Sequence, residues 1–153
     1  MNLNKGIWFY GLSGSGKSYA SKCVSKKIKN SFLIDGDQVR QHVSFDLDYD
    51  LNSRKIQIKR ILGIAKLVIN NDFFPIASSV YLNEEVLDLC NINGIKVINI
   101  QRSTTEILAV REIYKNTNNV VGKDIPMPKL NARSIFNDGT KKFKDDILKI
   151  LDN

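Results

Sequence analysis

At 153 residues, 42% of them hydrophobic and 25% charged, the chain is long enough to bury one core without disulfides or metals. No apolar run approaches the ~18 residues of a membrane span, and the first ten residues hold too short an apolar stretch for a signal peptide, so no membrane partner is expected. The net charge of +7 invites nucleic acid, but the lysines are scattered (Lys26, Lys27, Lys29, Lys55, Lys59, Lys66) and no basic strand is interleaved with aromatics, which favours a solvated surface and anionic small substrates, with no nucleic acid partner.

In chain order, Ile7–Tyr10 is a short apolar, aromatic run that predicts a first strand. It delivers Gly11-Leu12-Ser13-Gly14-Ser15-Gly16-Lys17-Ser18, which fits the phosphate-cradling pattern GxxxxGKS/T in full. Gly11, Gly14 and Gly16 permit a backbone close to a ligand. The amides of Ser13, Ser15 and their neighbours, with the start of the next helix, converge on phosphate oxygens. Lys17 reaches the β- and γ-phosphates of ATP, and the Ser18 hydroxyl is a ligand for Mg²⁺. Tyr19, Ala20, Cys23, Val24 and Ile28 then give one apolar face to a helix expected over residues 17–29.

A second strand, Phe32–Ile34, runs into Asp35-Gly36-Asp37. Ligands of open α/β sheets sit beyond the carboxyl ends of strands. There Asp35 suits Mg²⁺ held through water, and Asp37 suits orienting or deprotonating an attacking hydroxyl. Asp-Gly-Asp is also good turn chemistry. Ile58, Leu62, Ala65 and Ile69 predict a long helix over 53–70, followed by a strand at Phe73–Ala77 and a helix over 84–92. Ile95–Ile100 reads as the fourth strand. Ser103 and Glu106 form a capping box for a helix over 104–116 that carries Arg111. Residues 116–133 break the pattern with asparagines, Gly122, Pro126 and Pro128, and a loop of that length over a phosphate site reads as a lid. A weak strand at Ser134–Phe136 and a helix over 140–151 close the chain. Two distant cysteines, no CxxC and one histidine argue against a zinc site or disulfide framework, and for a reduced, cytoplasmic setting.

The motifs together resemble the adenylylsulfate kinases, which phosphorylate the ribose 3′-hydroxyl of adenosine 5′-phosphosulfate (APS). The family's GLSGSGKST appears as GLSGSGKSY, its DGDNVR as DGDQVR, and its LGFSxxDRxENIRR segment is approximated by Leu47–Arg60. Val120-Val121-Gly122 stands for its FTG. The resemblance implies one α/β domain over 1–153: a P-loop nucleoside-triphosphate hydrolase/kinase fold, a parallel sheet of about five strands with helices on both faces, and a lid at about 112–133. It implies Mg²⁺ with ATP as donor, an anionic nucleotide acceptor and a homodimer. Gly11, Ser13, Gly14, Ser15, Gly16, Lys17, Ser18, Tyr19 and Arg111 would bind ATP. Asp37, Arg40, Arg54, Gln57, Ser79 and Val120 would line the acceptor side, with Tyr49 where the family's phenylalanine stacks on the acceptor base.

Departures fall on the acceptor side. Ser79-Val80-Tyr81-Leu82 replaces Ser-Pro-Tyr-Arg, which removes a cation, and Val120 replaces the phenylalanine that completes an aromatic sandwich. Ser79 corresponds to a serine suggested to carry phosphate in that family; a hydrogen-bonding role is the simpler expectation. A related branch phosphorylates cytidine diphosphoramidate in bacterial capsule assembly, and its smaller pyrimidine is compatible with a half-aromatic pocket. A nucleotide-binding regulatory module without chemistry is the alternative of a different class.

Overall fold

The computed structural model describes residues 4–103, 105 and 118–152. Five strands form one sheet: β1 (Gly6–Tyr10), β2 (Ser31–Asp35), β3 (Phe74–Ser79), β4 (Ile95–Arg102) and β5 (Arg133–Asn137). Their order is β2-β3-β1-β4-β5 and every pairing is parallel. The helices are α1 (Lys17–Ser25), α2 (Gly36–His42), α3 (Leu51–Asn70), α4 (Glu84–Ile92) and α5 (Lys141–Leu148), the last continued by a 3₁₀ turn over Lys149–Asp152. This is the α/β class and strand count that the sequence predicts.

β1 explains why the strand run is apolar throughout. It lies at the centre of an all-parallel sheet, so both of its faces are covered. Trp8 and Tyr10 point into a core built with Ile58, Ile61, Leu62 and Ala65 of α3 and Val86, Leu87 and Cys90 of α4. Ile7 and Phe9 point to the opposite core, against Ala20 and Val24 of α1 and Phe143 and Ile147 of α5. Alternation along a five-residue strand thus feeds two cores. The lysines singled out are exposed, Lys26, Lys27 and Lys29 just beyond α1 and Lys55, Lys59 and Lys66 on α3, as an outer-face reading requires.

Several boundaries differ from expectation for local reasons. α1 stops at Ser25, where the Ser25 hydroxyl donates to the Lys22 carbonyl and the chain turns through Lys26 and Lys27. Helix α2 has no apolar periodicity to announce it. Only Val39 is buried, and the helix starts because the Asp35 side chain caps it, accepting from Asp37 N (2.9 Å) and Gln38 N (3.2 Å). β4 runs two residues past the apolar segment, to Arg102. The helix expected over 104–116, the capping-box Glu106 and the first part of the lid lie outside the described residues, apart from Thr105.

One buried hydrogen-bond chain ties β1 to the end of β3. The Trp8 indole N–H donates to Ser79 Oγ at 2.8 Å, and that hydroxyl donates to the Tyr81 carbonyl, also at 2.8 Å. Ser79→Ala leaves a fully buried indole N–H without an acceptor. We expect a stability loss of about 1–3 kcal/mol, read as a lower urea midpoint at unchanged denaturant slope, with the fold retained.

Candidate active site at the carboxyl edge of the sheet

The sheet order reverses at β1: the chain leaves it toward β2 and β3 on one side, and β4 and β5 lie on the other. Such a switch point opens a crevice beyond the strand ends. Here the crevice is a cleft of about 890 Å³ that takes in the Gly11–Ser18 loop, the Asp35–Arg40 turn, and residues of α3 and the 118–121 segment. That volume is at the upper end for small-molecule sites.

The loop folds as its glycines allow. Gly16, at φ 110°, is the N-cap of α1 in the left-handed region. At Gly11 the limit is space, since a Cβ there would sit 2.3 Å from the Ile100 carbonyl oxygen. Lys17 curls back, its Nζ donating to the Leu12 carbonyl at 3.0 Å, while Ser13, Gly14, Ser18 and Tyr19 line the cleft beside it. Ser15 is buried beneath the loop rather than on the cleft wall. Tyr19 is half-exposed and stacks on Phe143 of α5 at 5.9 Å between centroids.

Asp35 and Asp37 both face the cleft. The Asp-Gly-Asp motif is a turn, and it is the N-terminus of α2, which places Asp37 in the helix's first turn, where negative charge is favoured. Capping α2 engages Oδ1 of Asp35. A divalent ion would find hard oxygen donors in Ser18 and Asp35, and among the described residues no cluster of three His, Cys, Asp or Glu that could cage it. That set fits Mg²⁺, which keeps several waters and uses one or two carboxylates with phosphate oxygens.

Across the cleft, Arg40 and Arg54 converge on Tyr49. Their guanidinium carbons lie 4.4 and 5.6 Å from the ring centroid, within cation–π reach. Both spend hydrogen bonds on neutral carbonyls: Arg40 donates to that of Asp48, and Arg54 donates to those of Tyr49 and Asn119, at 2.9 Å for each of its two bonds. Burial lowers the pKa of both, and the Arg40 charge lowers that of Arg54 further. Arg60 forms a bidentate pair with Asp46 (2.6 and 2.9 Å), which ties the loop before α3 to the helix.

Gln57 is buried, donates from Nε2 to the Gly36 carbonyl at 3.0 Å, and leaves its Oε1 without a partner at the cleft wall. Ser79 also lines the cleft, with its hydroxyl already engaged by Trp8 and Tyr81. Leu82, at the position of the family's arginine, is fully buried in the core, so it supplies no cation. Val120 lines the cleft and packs on Leu12. Arg111 lies outside the described residues. Arg102 and Asn137, at the ends of β4 and β5, line the cleft without having been singled out in the sequence. Their signal was position, one or two residues past an apolar strand, on the edge where ligands bind.

Residues 4–90 match the adenylylsulphate kinase family. Among relatives, the chain is 37% identical over 84 residues to an adenylyl-sulfate kinase of Halothermothrix orenii, covering 51% of this chain and 45% of that one. It is 33% identical over 93 residues to a probable adenylyl-sulfate kinase of Halalkalibacterium halodurans, covering 58% and 45%. The matched part thus spans less than half the length of these relatives. The APS kinase of Mycobacterium tuberculosis, solved with AMPPNP and APS, superposes with a TM-score of 0.82 at 19% identity, over 97% of this chain and 96% of that one. Shikimate kinase of Aquifex aeolicus superposes with a TM-score of 0.60 at 16% identity, over 96% of each chain. The structures establish a shared P-loop kinase fold, and with the match running through both the phosphate loop and the Asp-Gly-Asp turn, the chain belongs to the adenylylsulphate kinase family.

Proposed function

We propose that the chain is an ATP-dependent kinase that transfers the γ-phosphoryl group to the ribose 3′-hydroxyl of an anionic nucleotide, with adenylylsulfate as the acceptor. The observation that carries this reading is one cleft holding both halves of such a reaction. The complete Gly11–Ser18 loop lies on one wall, and Arg40 and Arg54, hydrogen-bonded to neutral carbonyls, lie on the other. Two half-buried cations, the charge of Arg40 lowering the pKa of Arg54, gain from an anion placed between them.

In this reading the acceptor's 3′-oxygen attacks the γ-phosphorus, the bond from that phosphorus to the β,γ-bridging oxygen breaks, and ADP leaves. Asp37 accepts the hydroxyl proton, and the Lys17 ammonium turns from the Leu12 carbonyl to the transferring group. Ser18 and Asp35 would hold Mg²⁺, which supplies charge neutralisation on the phosphates. Gly11, Gly14, Gly16 and Tyr19 belong to the donor side. Gln57 offers an acceptor atom to a ligand donor, and Tyr49 presents the two guanidiniums. The 112–133 segment acts as the lid, and a cytoplasmic homodimer is the expected setting. Among the described residues no helix is long and apolar enough to cross a membrane.

Lys17→Ala should nearly abolish phosphoryl transfer while leaving the thermal midpoint close to wild type, because the ammonium acts on charge that builds during transfer. Wild-type turnover by that variant, assayed with radiolabelled ATP, would sink the kinase reading. Arg54→Ala should raise the acceptor KM roughly tenfold or more, with a smaller change for ATP, since a charge-assisted contact is worth about 1.5–3 kcal/mol. Equal losses for donor and acceptor would instead assign Arg54 to holding Tyr49 and Asn119 in place. The acceptor is settled by comparing adenylylsulfate, cytidine diphosphoramidate and simple nucleotides as stimulants of ATP turnover. Preference for the second would move the substrate and keep the chemistry. ATP binding without turnover on any of them would favour the regulatory module.

A further inference from the structure

β4 and β5 end side by side in the cleft, and their last residues, Arg102 and Asn137, are register partners. The two side chains reach successive carbonyls of the phosphate loop. Arg102 Nη1 donates to the Gly14 oxygen at 3.4 Å, and Asn137 Nδ2 donates to the Ser15 oxygen at 2.8 Å. Asn137 is only 7% exposed, and its amide is engaged at both ends, since Oδ1 accepts from Gly139 N at 2.9 Å. The fit around it is close. A Cβ on Gly16 would lie 2.7 Å from Asn137 Nδ2 and 3.2 Å from the Phe143 ring.

We propose that Asn137 is a positioning residue for the donor phosphates, seconded by Arg102. The inference rests on the donor reading above. In a trans peptide the carbonyl and the following N–H point in opposite directions within one plane. Drawing the Ser15 carbonyl out toward β5 therefore turns the Gly16 N–H the other way, toward the concave side of the loop where phosphate oxygens are held. Asn137 does this from a rigid strand end, with its own amide fixed by Gly139, so the loop amide is aimed before a nucleotide arrives. Arg102 holds the preceding carbonyl at longer range and brings positive charge to the same wall of the cleft. Neither residue belongs to the loop motif, and the backbone carbonyls they hold are indifferent to loop side chains.

The test separates donor from acceptor. Asn137→Asp keeps the shape but sets an oxygen against the Ser15 carbonyl. MgATP affinity, measured by calorimetry without acceptor, should fall at least tenfold while the acceptor KM stays within twofold; the urea midpoint falls because a buried hydrogen bond is lost, so affinities are compared at a temperature where the variant is folded. Arg102→Ala, at a partly exposed site, should weaken MgATP at least threefold with the same acceptor pattern, and Arg102→Lys should recover part of the loss. Unchanged MgATP affinity in a folded Asn137→Asp protein would overturn the proposal, as would equal losses for donor and acceptor. Should Asn137→Asp not fold, Arg102→Ala decides by the same criteria. A wild type that does not bind MgATP would overturn the donor reading itself, a result distinct from any change between variants.

Discussion

The space available to the backbone where β1 ends governs the rest of the site. β1 is covered on both faces, so the chain can leave it only at the carboxyl edge, and it leaves past the Ile100 carbonyl with no room for a side chain at Gly11. Five residues later it must turn into α1 at Gly16, against Asn137 and Phe143 and with positive φ. Those two constraints fix the curvature of the loop between them. The apolar strand, the glycines and the polar groups on the neighbouring strand ends are therefore one device. The strands anchor the loop, and the loop in turn needs side chains from β4 and β5 to hold its carbonyls.

The division of labour in the cleft follows from the sheet order. Strands β4 and β5 lie on one side of β1 and touch the loop through Arg102 and Asn137. Strands β3 and β2 lie on the other and bring Ser78, Ser79 and the Asp35–Asp37 turn. Gln57 on α3 reaches the start of α2 through the Gly36 carbonyl, so the carboxylates are braced by the helix that also carries Arg54. Among the described residues, the charged groups lining the cleft are Lys17, Arg40, Arg54 and Arg102 together with Asp35 and Asp37, an excess of positive charge. Guanidinium groups stay charged despite a lowered pKa, so this excess of positive charge favours anionic ligands.

What was legible in the sequence is what periodicity and motif chemistry encode. Of the predicted α3 stripe, Ile58, Leu62 and Ala65 are buried and Ile69 packs partly buried against the same core, and the loop sits between the predicted strand and helix. Helix α2 escaped because seven residues with one buried side chain have no apolar period; a cap and a tertiary prop from Gln57 hold it. Arg102 and Asn137 escaped because they work through backbone carbonyls across a sheet register, and register is a tertiary fact. The tertiary neighbours of Tyr49 were not legible either: two guanidiniums, from Arg40 and Arg54, lie against its ring.

The acceptor half departs from the family's pattern at positions whose neighbours also differ in kind from a simple loss. Leu82 lies wholly in the core beside Tyr81 and Val86, so the missing cation is replaced by apolar burial, and restoring an arginine there would place a charge among hydrocarbon. Val120 is held twice, by packing on Leu12 and by its amide donating to Asp124 Oδ2 at 3.1 Å. Gly122 presses on the same leucine, since a Cβ there would lie 2.7 Å from it. The 120–125 turn is thus seated on the phosphate loop itself, closely enough that a phenylalanine at 120 must displace Leu12 or lift the turn. A small residue at 120 allows that seating, which couples the 120–125 turn to the loop at the expense of a second aromatic wall. On the function proposed above, recognition on this side falls to Arg40 and Arg54, whose charge would select an anion more than a base.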